Sequence, residues 1–155
     1  MNSRPYSSPE EGKKAGPFHG PVESVDFRLP GPQALLVHQS LNEVLHGIQG
    51  VRVFSQVGIS KPALKEIFDP LDVWIRAQEK DANGLPVASL NRPFSVVEIR
   101  ALRNSVELVM LDLGQAEFST RTGFSLSEAA ELLDRFNSAL LDPLRIDRPS
   151  PTVSN

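Results

Sequence analysis

The sequence contains no cysteine among its 155 residues. This absence excludes disulfide bonds, thiolate catalysis and zinc sites built on cysteine. It fits a reducing compartment, and we therefore expect a cytoplasmic protein. No apolar run approaches the roughly 18 residues that a membrane-spanning helix needs. Residues 1–21 also lack the apolar core of a signal peptide, so we expect no association with a membrane.

Basic residues are scarce in the middle of the chain. Residues 22–144 carry 11 Lys and Arg against 16 Asp and Glu, a net charge of −5, whereas residues 1–21 and 145–155 each carry +1. A protein that binds nucleic acid through its phosphates usually concentrates Lys and Arg in its folded part. The charge therefore disfavours nucleic acid and favours a basic protein partner, which an acidic surface attracts over long range.

Both ends of the chain are rich in Pro, Gly, Ser and charged residues. Such segments bury too little apolar surface to offset the entropy of ordering, so we predict disordered tails at 1–21 and 145–155. The remainder, 22–144, has the length of a single domain.

Two kinds of periodicity open this domain. Val25, Phe27 and Leu29 alternate with polar residues, which predicts a half-buried strand. A helix is then predicted by apolar residues in steps of three and four: Ala34, Val37, Leu41, Val44 and Ile48. The segment 51–57, VRVFSQV, predicts a second short strand, and Ser60 is placed to cap a second helix.

The same pattern returns 65 residues downstream. Its helical stripe is Ile99, Leu102, Val106, Val109 and Leu113. AEFSTRT, residues 116–122, corresponds to the second strand, and two Ser–Glu pairs three residues apart, starting at Ser95 and Ser125, predict capping boxes. Residues 35–69 and 100–134 share six identities, where about two are expected from average composition.

These patterns predict an α+β fold of two strand–helix–strand–helix pseudo-repeats, an internal duplication that forms one compact domain. Copy one is 22–71, the connecting segment is 72–86 and copy two is 87–144. Asp69 and Pro70 are typical of a new helix start, and residues 87–90 of an opening strand. Residues 72–80 suit either a helix or a strand.

A helix-turn-helix is the first functional alternative. Ile59-Ser60-Lys61-Pro62-Ala63-Leu64 resembles the turn and the start of the recognition helix in the TetR-type family of bacterial repressors. The resemblance implies a DNA-binding regulator built around residues 53–68. Against it, residues 51–57 alternate as a strand does, and the second copy carries Glu128 and Glu131 where phosphates would approach.

Signatures of catalysis, cofactors and metals are missing from the sequence. His38 and His46 lie two helical turns apart, about 12 Å, which is too far to share an ion. No GxSxG elbow or phosphate-binding loop occurs. We therefore predict no catalytic, cofactor-binding or metal-binding residues. An enzyme without a recognisable motif is the second alternative, with a pocket that holds Arg121 or His38 beside a carboxylate.

The function these observations favour is that of a small, non-enzymatic protein-binding or regulatory protein of the bacterial cytosol. An adaptor, or an immunity or antitoxin-like inhibitor that docks on a basic protein partner, is its concrete form. Candidate partner-binding residues are Trp74, Arg121, Lys61 and Lys65. The oligomeric state stays open, a homodimer included.

Overall fold

The computed structural model describes residues 24–141, which form two short strands and five helices. Their order is β1 (Ser24–Leu29), α1 (Gly31–Asn42, continued by a π-helical turn, Glu43–Gly47), α2 (Val53–Val57), α3 (Lys61–Ala77), β2 (Leu90–Ser95), α4 (Val96–Thr122) and α5 (Leu126–Leu141). The fold is α+β, as predicted. The predicted tails, 1–21 and 145–155, lie outside the described residues.

The two strands pair as an antiparallel ribbon with one face on the helices. In β1, Val25, Phe27 and Leu29 are buried while the residues between them are exposed, which confirms the strand predicted there. Phe27 lies opposite Arg92 at the centre of the register, and these two residues are 65 positions apart. The inner face of the ribbon therefore carries a phenylalanine and an arginine side by side.

The predicted helical stripes form the centre of the molecule. Ala34, Val37, Leu41 and Val44 are buried in α1, and α4 buries Ile99, Leu102, Val106 and Val109. The two helices pack against each other. Ser40 and Ser105, also 65 residues apart, are fully buried, and their hydroxyl groups have no hydrogen-bond partner within the described residues.

Helix caps lie where the sequence predicts them. The Ser60 hydroxyl accepts a hydrogen bond from the Ala63 amide at 3.3 Å. Ser125 and Glu128 form a reciprocal capping box at 2.8 and 3.0 Å, and Ser95 forms another with Glu98. Gly58 and Gly123, with φ of 101° and 83°, end the preceding helices in the left-handed region. Both turns into the last helix of each segment are therefore built alike.

The strands predicted at 51–57 and 116–122 are wrong, because residues 53–57 and 116–122 are helical and residues 51–52 form a turn. Val53 and Val57 are buried four residues apart in α2, and Phe118 and Thr122 are buried with the same spacing in α4. Val51, which the alternating pattern would have placed beside them, is fully exposed. Burial at a spacing of four outweighs the weak strand preference of these residues.

The helix predicted to start at Asp69 is also wrong, because α3 continues through Pro70 as far as Ala77. Leu64, Ile67, Leu71 and Ile75 form one continuous buried stripe along it. Proline inside a helix costs about 3 kcal/mol, and the burial of this stripe on both sides of Pro70 offsets that cost. Residues 72–77 are thus helical.

The opening strand of the second segment starts later than predicted. We expected it at 87–90, but β2 begins at Leu90 and runs to Ser95. Val87 is 63% exposed, so it does not join the core. A turn precedes it, in which the Asp81 carboxylate accepts hydrogen bonds from the Asn83 and Leu85 amides.

Candidate functional site

A largely apolar cavity of about 150 Å³ lies between the ribbon and α3. Trp74, a predicted partner-binding residue, is half-buried on its wall. Its lining residues come from both strands, α1, α3 and α4: Leu29, Val37, Ile67, Pro70, Leu71, Trp74, Leu90, Arg92, Phe94 and Leu102. We call it the Trp74 cavity, and the part of the ribbon that faces it the α3 side.

Among the described residues that line this cavity, Arg92 is the one that carries a charge. It belongs to the inner face of β2, and its side chain is 34% exposed. Its guanidinium carbon lies 4.3 Å from the centre of the Phe94 ring, and one of its nitrogens lies 3.4 Å from a Glu98 carboxylate oxygen. These contacts hold a positive group at the wall of an otherwise apolar space.

The ribbon has a second inner region, which faces α5 and which we call the α5 side. Here the Phe27 ring stacks on the Phe136 ring, with centroids 5.0 Å apart and an interplanar angle of 21°. The guanidinium carbon of Arg135 lies 4.5 Å from the centre of the Phe27 ring. Burial lowers the pKa of Arg135, and nearby Arg28 lowers it further.

The two sides can be compared at the sequence separation of 65 residues. Arg92 corresponds to Phe27, and Leu71 corresponds to Phe136. The α3 side therefore has a leucine and an arginine in the positions where the α5 side has two stacked rings. Arg92 was not among the predicted site residues, because the segments compared at this separation, 35–69 and 100–134, do not include it.

Lys61 and Lys65, two further partner-binding candidates, lie on the exposed surface of α3. Neither lines the Trp74 cavity. The Lys65 ammonium group lies 3.3 Å from an Asp69 carboxylate oxygen, and both side chains are more than half exposed. Such a surface pair contributes little to stability.

Arg121, the last partner-binding candidate, is exposed, and its guanidinium forms ion pairs with carboxylates of the same chain. Its guanidinium donates to both Glu43 carboxylate oxygens, at 2.5 and 3.3 Å, and to Glu117 at 3.5 Å. The hydrogen bond to Glu43 raises the pKa of Arg121. Glu43 is buried, so this ion pair joins the π-helical turn after α1 to the end of α4.

His38 has a carboxylate beside it, as the enzyme alternative requires. Its Nε2 lies 2.7 Å from an Asp72 oxygen, and its ring stacks on Phe68 at 5.0 Å. The hydrogen bond with His38 lowers the pKa of Asp72, and Arg76 lowers it further. His38 does not line the Trp74 cavity, so the cavity and this pair are separate features.

Neither a metal site nor a membrane-spanning helix is found among the described residues. Among residues 24–141, no three His, Asp or Glu side chains are grouped so that they could hold a metal ion. Over the same range, each helix is too short or too polar to cross a bilayer. Comparison of the chain with known protein families, with curated proteins and with solved structures gave no match.

Proposed function

We propose that the chain is a small, non-enzymatic cytoplasmic protein that binds a protein partner by taking an apolar side chain into the Trp74 cavity. The observation that carries this proposal is an apolar space of about 150 Å³ at the surface of the core, which the described residues leave unfilled. Apolar cavities of about this size stay dry and bind benzene, so one large side chain fits.

The residues around the cavity suit a binding hot spot. Interfaces concentrate their energy in a few central pockets, where Trp and Arg are enriched. Trp74 and Arg92 both line this cavity, and exposed Pro70, one helical turn before Trp74 on α3, lines it as well. An anchoring side chain that enters here would bury apolar surface on both partners.

The charge of the described residues suits a basic partner. Residues 24–141 carry 11 Lys and Arg against 14 Asp and Glu, a net charge of −3. Glu128, Glu131 and Asp134 lie on the exposed surface of α5. An acidic surface speeds encounter with a basic protein, as expected of an adaptor or an immunity or antitoxin-like inhibitor in a bacterial cell.

The second part of the proposal is that the chain contains an internal duplication with a pseudo-twofold axis. The ribbon register supports it, since it is centred on Phe27 and Arg92. The polar links between helices also support it. His38 pairs with Asp72, and Arg103 donates to Asn137 at 2.8 Å, each pair being 65 residues from its counterpart. The α5 side then acts as a template for the α3 side.

A comparative pull-down tests the binding function. The full chain is immobilised, exposed to native cell lysate, and the bound proteins are quantified by mass spectrometry. We expect one basic protein in near-stoichiometric amount, lost with Trp74→Ala and retained with Val73→Ala. Val73 is the matched control because it is the neighbouring residue of α3 and is 67% exposed. No stoichiometric protein, or one that Trp74→Ala still retains, would contradict the proposal.

DNA binding is the second candidate, and one observation favours it. Because residues 53–57 are helical, Gly58 to Ser60 do connect two helices, and the objection based on a strand no longer applies. The charge of α3 weighs against it, since its three basic residues are balanced by three acidic ones. A gel shift on native upstream DNA tests whether the chain binds DNA. DNA binding predicts a salt-sensitive complex that Lys61→Glu with Lys65→Glu abolishes.

A further inference from the structure

We infer that the group received by the Trp74 cavity is an aromatic ring, seated against Leu71 as the Phe27 ring is seated against Phe136. This inference rests on the proposed binding function and names the chemistry of the partner's anchoring side chain. It follows from two properties of the cavity, its size and the charge on its wall, and from a comparison with the α5 side.

Size sets the first limit. A volume of about 150 Å³ suits one six-membered ring. The lining is apolar apart from Arg92, so a charged or strongly polar anchor would lose its hydration without regaining enough hydrogen bonds.

Charge distinguishes an aromatic ring from an aliphatic group of similar size. An aromatic face carries partial negative charge, and a guanidinium group near it is attracted. Arg92 places such a group on the cavity wall, already 4.3 Å from the centre of the Phe94 ring. Trp74 adds an aromatic wall, and aromatic pairs gain more than their buried area alone provides. A saturated ring has neither advantage.

The α5 side shows the completed arrangement. There a phenylalanine ring lies between a stacked aromatic neighbour, Phe136, and a guanidinium, Arg135. On the α3 side, the Arg92 guanidinium stands at the ribbon position that Phe27 holds on the α5 side, and half-buried Trp74 lies beside a space that the described residues leave open. A ring supplied by the partner would complete the second arrangement.

Direct titration with small probes is the experiment. Toluene and methylcyclohexane have nearly the same size, and only toluene is aromatic. Each is added to the full chain while the emission of Trp74, the sole tryptophan, is followed. Ligand-observed NMR gives an independent dissociation constant. We expect toluene to bind about 2- to 5-fold more tightly than methylcyclohexane, the factor typical of an exposed cation–π contact.

Variants at Arg92 distinguish the contribution of the cavity volume to toluene binding from that of the positive charge. Arg92→Phe places a ring where the α5 side has Phe27, so toluene binding should fall at least about 10-fold. Arg92→Gln keeps the space and removes the charge, so toluene should bind but lose its advantage over methylcyclohexane. Arg100→Gln, an exposed change on α4, should behave as the parent chain does. If Arg92→Phe does not fold, Leu71→Phe fills the same space from α3.

Each outcome decides a definite point. Absence of toluene binding, equal affinity for the two probes, or full binding by a filled variant overturns the aromatic site. If toluene binds as expected while the captured protein is indifferent to Trp74→Ala, the aromatic site stands and the protein-binding function fails. If a captured protein is lost with Trp74→Ala but toluene never binds, the binding function stands and the aromatic anchor is wrong.

Discussion

The α5 side and the α3 side of the ribbon place the same kind of inner surface against similar helices, yet one is filled and the other is not. On the α5 side, Phe27 and Phe136 stack at 5.0 Å. On the α3 side, Arg92 and Leu71 leave about 150 Å³ empty. The two sides differ in backbone detail, since α3 contains Pro70 and Ser60 forms a simple cap where Ser125 forms a reciprocal box. They also differ in the side chains next to the ribbon, where the α3 side has a leucine and an arginine and the α5 side has two stacked rings.

The empty space has an energetic consequence. Cavities left by shortened core side chains cost about 24 cal/mol per Å³, so 150 Å³ corresponds to at most about 4 kcal/mol. This cavity lies at the surface, which reduces the cost. Even the upper limit is smaller than the total stability of a domain, typically about 5–15 kcal/mol. A side chain that fills the cavity would recover much of that energy, and the recovery would contribute to binding.

The largest loss of stability is expected when a buried ring is removed from the α5 side. Phe136→Ala removes a fully buried ring and should lower the free energy of unfolding by about 3–5 kcal/mol. Leu71→Ala, at the corresponding position, should cost about 2–3 kcal/mol, because Leu71 already borders empty space. Urea unfolding followed by circular dichroism measures both. An equal or larger loss for Leu71→Ala would show that the α3 side is as tightly packed as the α5 side.

Much of the frame was predictable because periodicity and capping are local. The strand at Val25 to Leu29, the two central helical stripes and the Ser60, Ser95 and Ser125 caps all follow from short-range rules, and the structure has them in place. The α+β class follows from the same elements.

The failures came from short segments whose structure depends on tertiary contacts. VRVFSQV fits a strand by alternation and a helix by the spacing of Val53 and Val57, and only the surrounding core selects the helix. Pro70 suggested a helix start, although the buried stripe continues through it. Trp74 was predicted as a partner-binding residue and lies on the cavity wall, but the cavity itself depends on residues distant in sequence such as Arg92.

If the two segments share a backbone, substitutions at the glycines that end α2 and α4 should lower the stability equally. Gly58→Ala and Gly123→Ala each force a side chain into the left-handed region and should cost about 1–2 kcal/mol. An added Cβ meets nothing closer than 3.6 Å at Gly58 and nothing within 4 Å at Gly123, so conformation alone sets the cost. Thermal unfolding compares the two, and the matched Gly→Asn changes should cost less. A difference above about 1 kcal/mol between the alanine variants would argue against equivalent turns.

Removing a helix cap should cause a smaller loss of stability, and the loss should differ between Ser125 and Ser60. Ser125→Ala should cost about 1 kcal/mol, because Ser125 accepts from the Glu128 amide at 3.0 Å within a reciprocal box. Ser60→Ala should cost a few tenths less, since its bond is 3.3 Å long and Ala63 cannot reciprocate. Urea midpoints of the two variants give the order, with Ser→Asp at each site as the control that preserves a cap. The reverse order would mean that the boxes do not govern these helix starts.

The smallest effect is expected at the two side-chain contacts between helices, His38–Asp72 and Arg103–Asn137. Only the first of them contains a carboxyl group. The pKa of Asp72 is lowered, mainly by its hydrogen bond with His38, whereas its counterpart Asn137 carries no charge. A carboxyl group whose pKa is lower in the folded state stabilises the fold above its ordinary pKa, and that contribution disappears as the pH falls through the folded value. Stability should therefore drop below about pH 4, and Asp72→Asn should flatten this decline.

The matched change is Asn137→Asp, which places a carboxylate beside Arg103. It should steepen the same acid-dependent decline, since Arg103 already donates to position 137 at 2.8 Å. Urea unfolding at several pH values between about 2 and 7 gives the two slopes, and Asp134→Asn, on the exposed surface of α5, is the control. If Asn137→Asp leaves the acid slope unchanged while Asp72→Asn lowers it, the two links are not equivalent. The comparison between the segments would then extend to the backbone, the caps and the core, but not to the polar contacts between the helices.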